Sequence, residues 1–318
     1  MSVLLPQTRV YEGPDTTYIV HPTENVRILA VCTDGRHPGL LNYKIALERL
    51  GYRYTILGVG QKWGGWIWRT KQYLEELEKM SDDQLIVLSD ATDVLFIEPP
   101  ALLVKKFLEM KSCIVIGAER GLTTGKYKYD LSARRLMRES YKLREPDRSY
   151  RFPNGGLIMG YRIPLIRLLY ANRESEDDQA GLVELYNEDQ SWFTLDTNCK
   201  LFGNLVQRAP FFDEDLEVAE ASWWSIVWDV TNINTSTTNN TTNKKLRLVN
   251  IETGGNPSVL HFAGGNWTWY NKLGPLIIGP IHQAIYPSGT EAVKQVVKQP
   301  WTSSLVWIIS GPVQYKKS

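Results

Sequence analysis

QLIVLSDATDVLF, residues 84–96, is an apolar run interrupted by two aspartates three positions apart, Asp90 and Asp93. LIVLS has the unbroken hydrophobicity of a strand buried on both faces. An unpaired carboxylate at the mouth of such a strand costs several kcal/mol, so the pair calls for a physical reason. The flanking segments say what kind of sheet holds the strand. Upstream, VRILAVCTD (26–34) and YRYTILGVG (52–60) read as strands, each followed by a helical pattern, GLLNYKIALERLG and IWRTKQYLEELEKM. Downstream, PPALLVKKFLEM reads as a helix opened by proline and SCIVIGAE (112–119) as a fourth strand. Alternation of this kind predicts an α/β fold, a mostly parallel central sheet flanked by helices and joined by right-handed crossovers.

The second half is less regular. GLTTGKYKYDLSARRLMRESYKLREPDRSYRF is polar and basic, a loop and a helix over the sheet. NGGLIMGYR (154–162) reads as a short strand preceded by a glycine turn, and IPLIRLLYANRE and AGLVELYNEDQSWFTL as helices. TNINTSTTNNTTNKK (231–245) is low in complexity, a flexible surface insertion. LRLVNIE and SVLHFAGGNW resume the strand pattern, and TEAVKQVVK predicts a late helix.

Lys and Arg (36) nearly balance Asp and Glu (35), which argues against broad electrostatic attraction to nucleic acid or an anionic membrane. Three widely spaced cysteines, Cys32, Cys113 and Cys199, argue against a disulfide framework and a cysteine zinc site. MSVLLPQTRVYEGPD lacks the pattern of a signal peptide, and LVWIIS (305–310) is too short to span a bilayer. The expectation is a soluble, intracellular, cytoplasmic protein without a transmembrane segment; a homodimer is an assembly the sequence allows.

Ligands of open parallel sheets bind beyond the carboxyl ends of the strands, where Asp90 and Asp93 fall. Two carboxylates on one tight turn repel unless a cation lies between them, and Mn²⁺ or Mg²⁺ with oxygen ligands keeps free positions for phosphate oxygens. The plainer alternative has Asp90 capping the next turn and Asp93 solvating a loop. His261, in VLHFAGG, also ends an apolar strand. It is either a hydrogen-bonded structural residue or a third ligand, completing an Asp/Asp/His set suited to manganese. The glycines after it would let backbone amides approach a diphosphate.

Taken in order, these segments resemble the glycosyltransferase domain of the procollagen lysyl hydroxylases and, more loosely, the GT-A fold glycosyltransferases. ILAVCTD is similar to the family's first strand and nucleotide-contacting turn, LGVGQKWGG (57–65) to a glycine-rich stretch with a tryptophan, and LIVLSDATDVLF to its D-x-x-D metal motif. RFPNGGLIMGY, YNEDQSWFTL, LDTNCKLFGNL and VLHFAGGNW resemble four later motifs. The resemblance implies a GT-A (Rossmann-like) domain over 26–275, an N-terminal extension at 1–25 and a C-terminal extension at 276–318 packed on the same domain.

It also implies roles. Asp90, Asp93 and His261 would hold Mn²⁺ on a UDP-sugar diphosphate. Thr33 and Asp34 would contact uracil or ribose. Thr92 stands where the family has a tyrosine that stacks on uracil; threonine cannot stack, and Trp68 and Tyr73 are nearby aromatics able to compensate. Gly264 matches a glycine beside the diphosphate. Trp267 stands in place of a phosphate-side lysine, a charge that Lys71 or Arg69 could supply. Asn154, Gly155 and Gly156 frame the sugar pocket. Asp189 and Gln190 match an acidic segment near the donor sugar, where Asp189 would orient sugar hydroxyls or take the acceptor proton. Asp177 and Asp178 form a second D-D-Q, read as a helix cap.

The expected activity is metal-dependent transfer of a hexose, glucose or galactose, from a UDP-sugar to a hydroxyl of a protein or glycan acceptor. A collagen-like hydroxylysine is the acceptor the family suggests; a microbial or viral relative acting on another glycan is the alternative source. The four histidines offer no H-x-D iron motif, so lysyl hydroxylation is not expected of this polypeptide. A rival reading is a non-catalytic nucleotide-sugar-binding accessory domain. A nucleotidyltransferase would need a basic glycine-rich loop after the first strand, which TDGRHPG only poorly imitates.

Overall fold

The computed structural model describes residues 9–13, 16–20, 26–127, 130–205, 226–232, 244–250, 253–264, 270–271 and 274. The described residues begin with β1 (Arg9–Gly13) and β2 (Thr16–Val20), paired in antiparallel fashion. Then come β3 (Val26–Val31), α1 (Pro38–Leu50), β4 (Arg53–Leu57), α2 (Gly65–Leu77), β5 (Leu85–Ser89), β6 (Val94–Phe96), α3 (Pro100–Glu109) and β7 (Ile114–Glu119). The second half supplies α4 (Leu131–Arg144), β8 (Phe152–Tyr161), α5 (Arg162–Ala171), α6 (Asp178–Glu188), a 3-10 turn at Gln190–Trp192, β9 (Thr194–Asp196), β10 (Phe202–Asn204), β11 (Ile226–Asn232), β12 (Lys244–Asn250) and β13 (Val259–His261).

Six strands form the central sheet in the order β4-β3-β5-β8-β7-β9. β3 pairs in parallel with β4 and β5, and β7 with β9; only β8 runs against its neighbours. The α/β class expected from the alternation is the one found. Strand alternation divides the core into two layers. Leu29, Ile86, Leu88, Ile116 and Ile158 face one layer with Leu74 and Leu77 of α2, Leu165 of α5 and Val183 of α6. Ile28, Ala30, Leu85, Val87 and Met159 face the other with Leu40 and Tyr43 of α1 and Leu103 and Phe107 of α3. Each fully buried Val, Leu, Ile, Phe or Met side chain contributes about 1.5–3 kcal/mol, so the sheet is a rigid base for whatever its edge carries.

Two details depart from the sequence reading. QLIVLSDATDVLF is two strands, not one: β5 lies in the central sheet, whereas β6 joins a three-stranded sheet in the order β10-β13-β6. The D-x-x-D segment is the bend between the two sheets. Gly155 and Gly156 lie inside the ten-residue β8 rather than in a turn before it. Of the 231–245 segment, the first and last two residues belong to the paired strands β11 and β12, while 233–243 lie outside the described residues. TEAVKQVVK, Trp267 and the 276–318 extension also lie outside them. Among the described residues no helix is long and apolar enough to cross a membrane.

Candidate functional site

β5 is buried along its whole length and delivers Asp90 at its carboxyl end. The ladder runs one rung further, the Asp90 N–H donating to the Gly156 carbonyl at 2.9 Å. The bend that follows needs room. A Cβ on Gly39, in the first turn of α1, would stand 1.8 Å from the Thr92 carbonyl oxygen. β6 then pairs with β13, Val94 opposite His261, and the Phe262 N–H donates to the Asp93 carbonyl at 2.8 Å. Sheet pairing thus carries His261 to the aspartates. His261 Nε2 lies 3.4 Å from Asp90 Oδ2 and 3.6 Å from Asp93 Oδ2. One ligand atom from each of the three residues falls within 4.8 Å of the others.

The hydrogen bonds fix the imidazole tautomer. Nδ1 lies 3.0 Å from the side-chain oxygens of both Asn154 and Asn204. Asn154 Oδ1 also accepts from the Gly156 N–H while its Nδ2 donates to Glu119, and Asn204 Nδ2 donates to the Ala118 carbonyl. Both amide oxygens therefore face the ring, so Nδ1 must carry a hydrogen, and Nε2, facing the aspartates, is the nitrogen whose lone pair a metal could take. This is the arrangement that prepares a histidine for a metal. Asp93 Oδ1 is buried without a hydrogen-bond partner. Two carboxylates, a free imidazole nitrogen and an orphaned oxygen fit a divalent cation. When none is bound, the imidazole itself becomes the cation. Burial disfavours its charge, but Asp93 and Asp90 outweigh that and raise its pKa to about 10.

A second charged group closes the site. Arg69, buried on α2, donates from Nη1 to Asp90 Oδ1 at 2.5 Å and from Nη2 to Asp178 Oδ2 and the Gly155 carbonyl. Burial pushes the Asp90 carboxyl up, and Arg69 and His261 overcome it to hold it well below the usual range. Asp178 is raised, because burial there prevails over the attraction of Arg69. Gln179, next on α6, accepts from the Gly155 N–H and donates to Glu119. Glu119, fully buried at the end of β7, also accepts from Thr123 and Asn154. Burial raises its pKa to about 6 against those three hydrogen bonds.

The fold thus gathers Asp90, Asp93, His261, Asn154, Gly155 and Gly156 at one place. Thr33 and Asp34 follow β3 on the same carboxyl edge of the sheet, with the Thr33 carbonyl accepting from the Gly60 N–H and Asp34 from the Arg36 N–H. Thr92 is half-buried in the bend, and Gly264 is exposed in the left-handed region, φ 70°, with open space around it. Tyr73 is buried with its hydroxyl given to the Ser89 carbonyl, which removes it as a stacking surface. Trp68 packs on Gly58 and against Trp63, and the Arg69 guanidinium lies 4.6 Å over the Trp66 ring. Lys71 is on the exposed side of α2 beside Glu75.

Asp189 and Gln190 are not brought in. They follow the last residue of α6, about 16 Å along the helix axis from Asp178, and the exposed Asp189 carboxylate accepts from Ser191. The D-Q pair beside the Asp90, Asp93 and His261 cluster is Asp178 and Gln179, with Asp177 capping α6 through the Ala180 N–H. Glu119 and Asn204 escaped the sequence reading. Each ends an apolar strand, as Asp90 does, and that shared placement was the available signal.

Residues 22–224, more than half of the 318-residue chain, match the family described as PLOD GT domain. The chain belongs to that family. Human procollagen-lysine,2-oxoglutarate 5-dioxygenase 1 is 27% identical over 199 residues, covering 58% of this chain and 26% of the relative. The human multifunctional procollagen lysine hydroxylase and glycosyltransferase LH3 is 26% identical over 219 residues, covering 64% of this chain and 28% of the relative. An uncharacterized protein of Acanthamoeba polyphaga mimivirus is 24% identical over 174 residues, covering 52% and 36%. The chain therefore spans about a quarter to a third of the length of these relatives. Among solved structures, a glycosyltransferase involved in glycosylation of the major capsid of PBCV-1 aligns with a TM-score of 0.38 at 12% identity, over 57% of this chain and 85% of that one.

Proposed function

We propose that this PLOD GT domain is a metal-dependent glycosyltransferase that moves a hexose, glucose or galactose, from a UDP-sugar to a hydroxyl of a protein or glycan. The observation that carries the reading is the convergence of Asp90, Asp93 and His261, the imidazole locked with Nε2 toward both carboxylates. Mn²⁺ or Mg²⁺ held by these three would neutralise a diphosphate and stabilise the charge on departing UDP. The chain's own residues do the remainder. Thr33 and Asp34 meet the base or ribose, with Trp66 and Trp68 supplying the aromatic surface that Thr92 lacks. The Gly264 backbone allows close approach of a phosphate. Asn154, held by Glu119, and the side-chain-free Gly155 and Gly156 border the sugar.

We assign the carboxylate that orients sugar hydroxyls, or takes the acceptor proton, to Asp178 rather than Asp189. Asp178 shares Arg69 with Asp90, and burial keeps its carboxyl above the ordinary range, toward that of a proton acceptor. Gln179 correspondingly replaces Gln190. A cavity of about 1030 Å³ lined by Trp66, Lys126, Asn172, Ser175, Asp177 and Glu184 gives an acceptor room to enter beside it. The relatives' names point to procollagen lysine, so a collagen-like hydroxylysine is the protein acceptor to try first.

Calorimetric titration of UDP with and without Mn²⁺, together with UDP release from UDP-glucose and UDP-galactose, tests the reading. UDP binding strengthened by Mn²⁺, slow release from one of the two donors, and loss of both with Asp93→Ala are expected. Binding indifferent to Mn²⁺, or binding without turnover on collagen peptides and glycans, would make the domain a non-catalytic nucleotide-sugar binder.

A further inference from the structure

The near balance of charge over the whole chain hides one uneven surface, the outward side of α4. Along this helix Arg134, Arg135, Arg138, Lys142 and Arg144 stand against one carboxylate, Glu139. The inward side is accounted for. Ala133 and Met137 pack on the core, the buried Tyr141 donates to the Val183 carbonyl of α6 at 2.8 Å, and Ser140 donates to Asn187 at 2.6 Å. The outward side carries Leu136 and Leu143, 73% and 84% exposed. Single exposed leucines are ordinary. These two stand one heptad apart, so they share a line along the helix and drift from it by only about 20°. Arg135 and Lys142 repeat at the same spacing and flank that line on one edge. Glu139 lies between the leucines, but its charge is already taken. Lys142 donates to it at 2.9 Å and, with Arg135 and Arg138, holds its carboxyl below the ordinary range.

We propose that this face of α4 docks an acidic amphipathic helix of a partner protein, an inference independent of the donor-site reading. A leucine and a cation that repeat together every heptad form one side of a helix–helix contact. The leucines enter the partner's apolar seam, and the cations meet carboxylates along its edge. Two rival occupants fit less well. A helix lying in a bilayer surface buries a broad apolar face, whereas this stripe is one side chain wide. A second copy would press α4 against α4 and bring like charges together, with Glu139 alone to offset them. α4 has 14 residues, about 21 Å of helix, so the contact is short and of the weak, transient class.

The probe is a labelled three-heptad helical peptide with leucine along its seam and glutamate on both edges, titrated with the full chain by fluorescence anisotropy. Saturable binding below about 1 mM is expected. It should weaken as salt screens the charges, and be absent for the same peptide with lysine in place of glutamate. Leu136→Ser and Leu143→Ser should each weaken it about tenfold, and Arg135→Glu combined with Lys142→Glu by about as much. All four side chains are exposed, so urea midpoints should stay at the wild-type value. Failure of the glutamate peptide to bind, equal binding of the lysine peptide, or unchanged affinity in the leucine variants overturns the proposal. So does wild-type binding to phosphatidylcholine/phosphatidylserine vesicles that the leucine variants lose, which would give the face to a membrane. Self-association in sedimentation that the same variants lose would give it to another copy and overturn the proposal equally.

Discussion

Gly156→Ala is the smallest change that should disable the site. A Cβ at this position would lie 2.2 Å from His261 Cε1, 2.7 Å from Nδ1 and 2.8 Å from Asp90 Oδ2. Carbon atoms pack at about 3.5 Å, so the imidazole must retreat by roughly 1.3 Å. Its ring is held at 3.0 Å by two asparagine oxygens, and such a shift would stretch or break those bonds. Misplacing a reacting group by about 1 Å costs about 10²-fold in rate, and overpacking of a core costs about 1–3 kcal/mol. Gly155→Ala is the matched control, because its Cβ would find only ordinary contacts at 3.4–3.6 Å. Calorimetric Mn²⁺ affinity should fall at least tenfold and UDP release about a hundredfold in Gly156→Ala, whereas Mn²⁺ affinity should change little in Gly155→Ala. Urea midpoints separate the stability loss from the functional one. Wild-type affinity and turnover in a folded Gly156→Ala would refute the claim that this glycine exists to admit the imidazole.

Two other outcomes follow from the same geometry. Asp178→Asn should lower hexose transfer about a hundredfold or more, whereas Asp189→Asn, altering only an exposed carboxylate bonded to Ser191, should leave it within threefold; the reverse order would return the role to Asp189. Glu119 has a folded pKa of about 6, raised above its ordinary 4.5 by burial. Its contribution is therefore fully present below about pH 4.5 and lost as pH rises through 6, about 2 kcal/mol in all. Comparing urea denaturation of wild type and Glu119→Gln at pH 4.5 and 7 reads this difference; a wild-type slope no steeper than that of the variant would refute it.

The local layers of the fold were legible because they rest on local physics. Apolar periodicity marked the strands and helices, and the Pro38 and Gly51 ends of α1 agree with ordinary start and stop chemistry. What escaped was non-local. Nothing in LIVLSDATDVLF states that its second half leaves the central sheet, because the partner that draws β6 away is β13, far along the chain. The glycine pair read as a turn by composition; its purpose is set by the His261 ring that packs against Gly156 from another sheet. The duplicated D-Q pattern could not be resolved by residue type either. Only the start of α6 decides which pair stands at the site and which lies three turns away.

That same non-locality bears on chemistry. The aspartates announced a cation, yet their surroundings hold two further positive groups, Arg69 on one side and a protonatable His261 on the other. Without an ion, these two offset much of the charge of Asp90 and Asp93, although Asp178 shares Arg69 with Asp90. A divalent ion must then displace the His261 proton and share Asp90 with Arg69, so its binding should weaken as pH falls below the raised pKa of about 10. Mn²⁺ titrations at pH 6.5 and 8.5 should accordingly differ, with affinity higher at pH 8.5 and protons released on binding. Equal affinities and no proton release would mean that the ion does not use Nε2, and that His261 is a structural partner of the two asparagines alone.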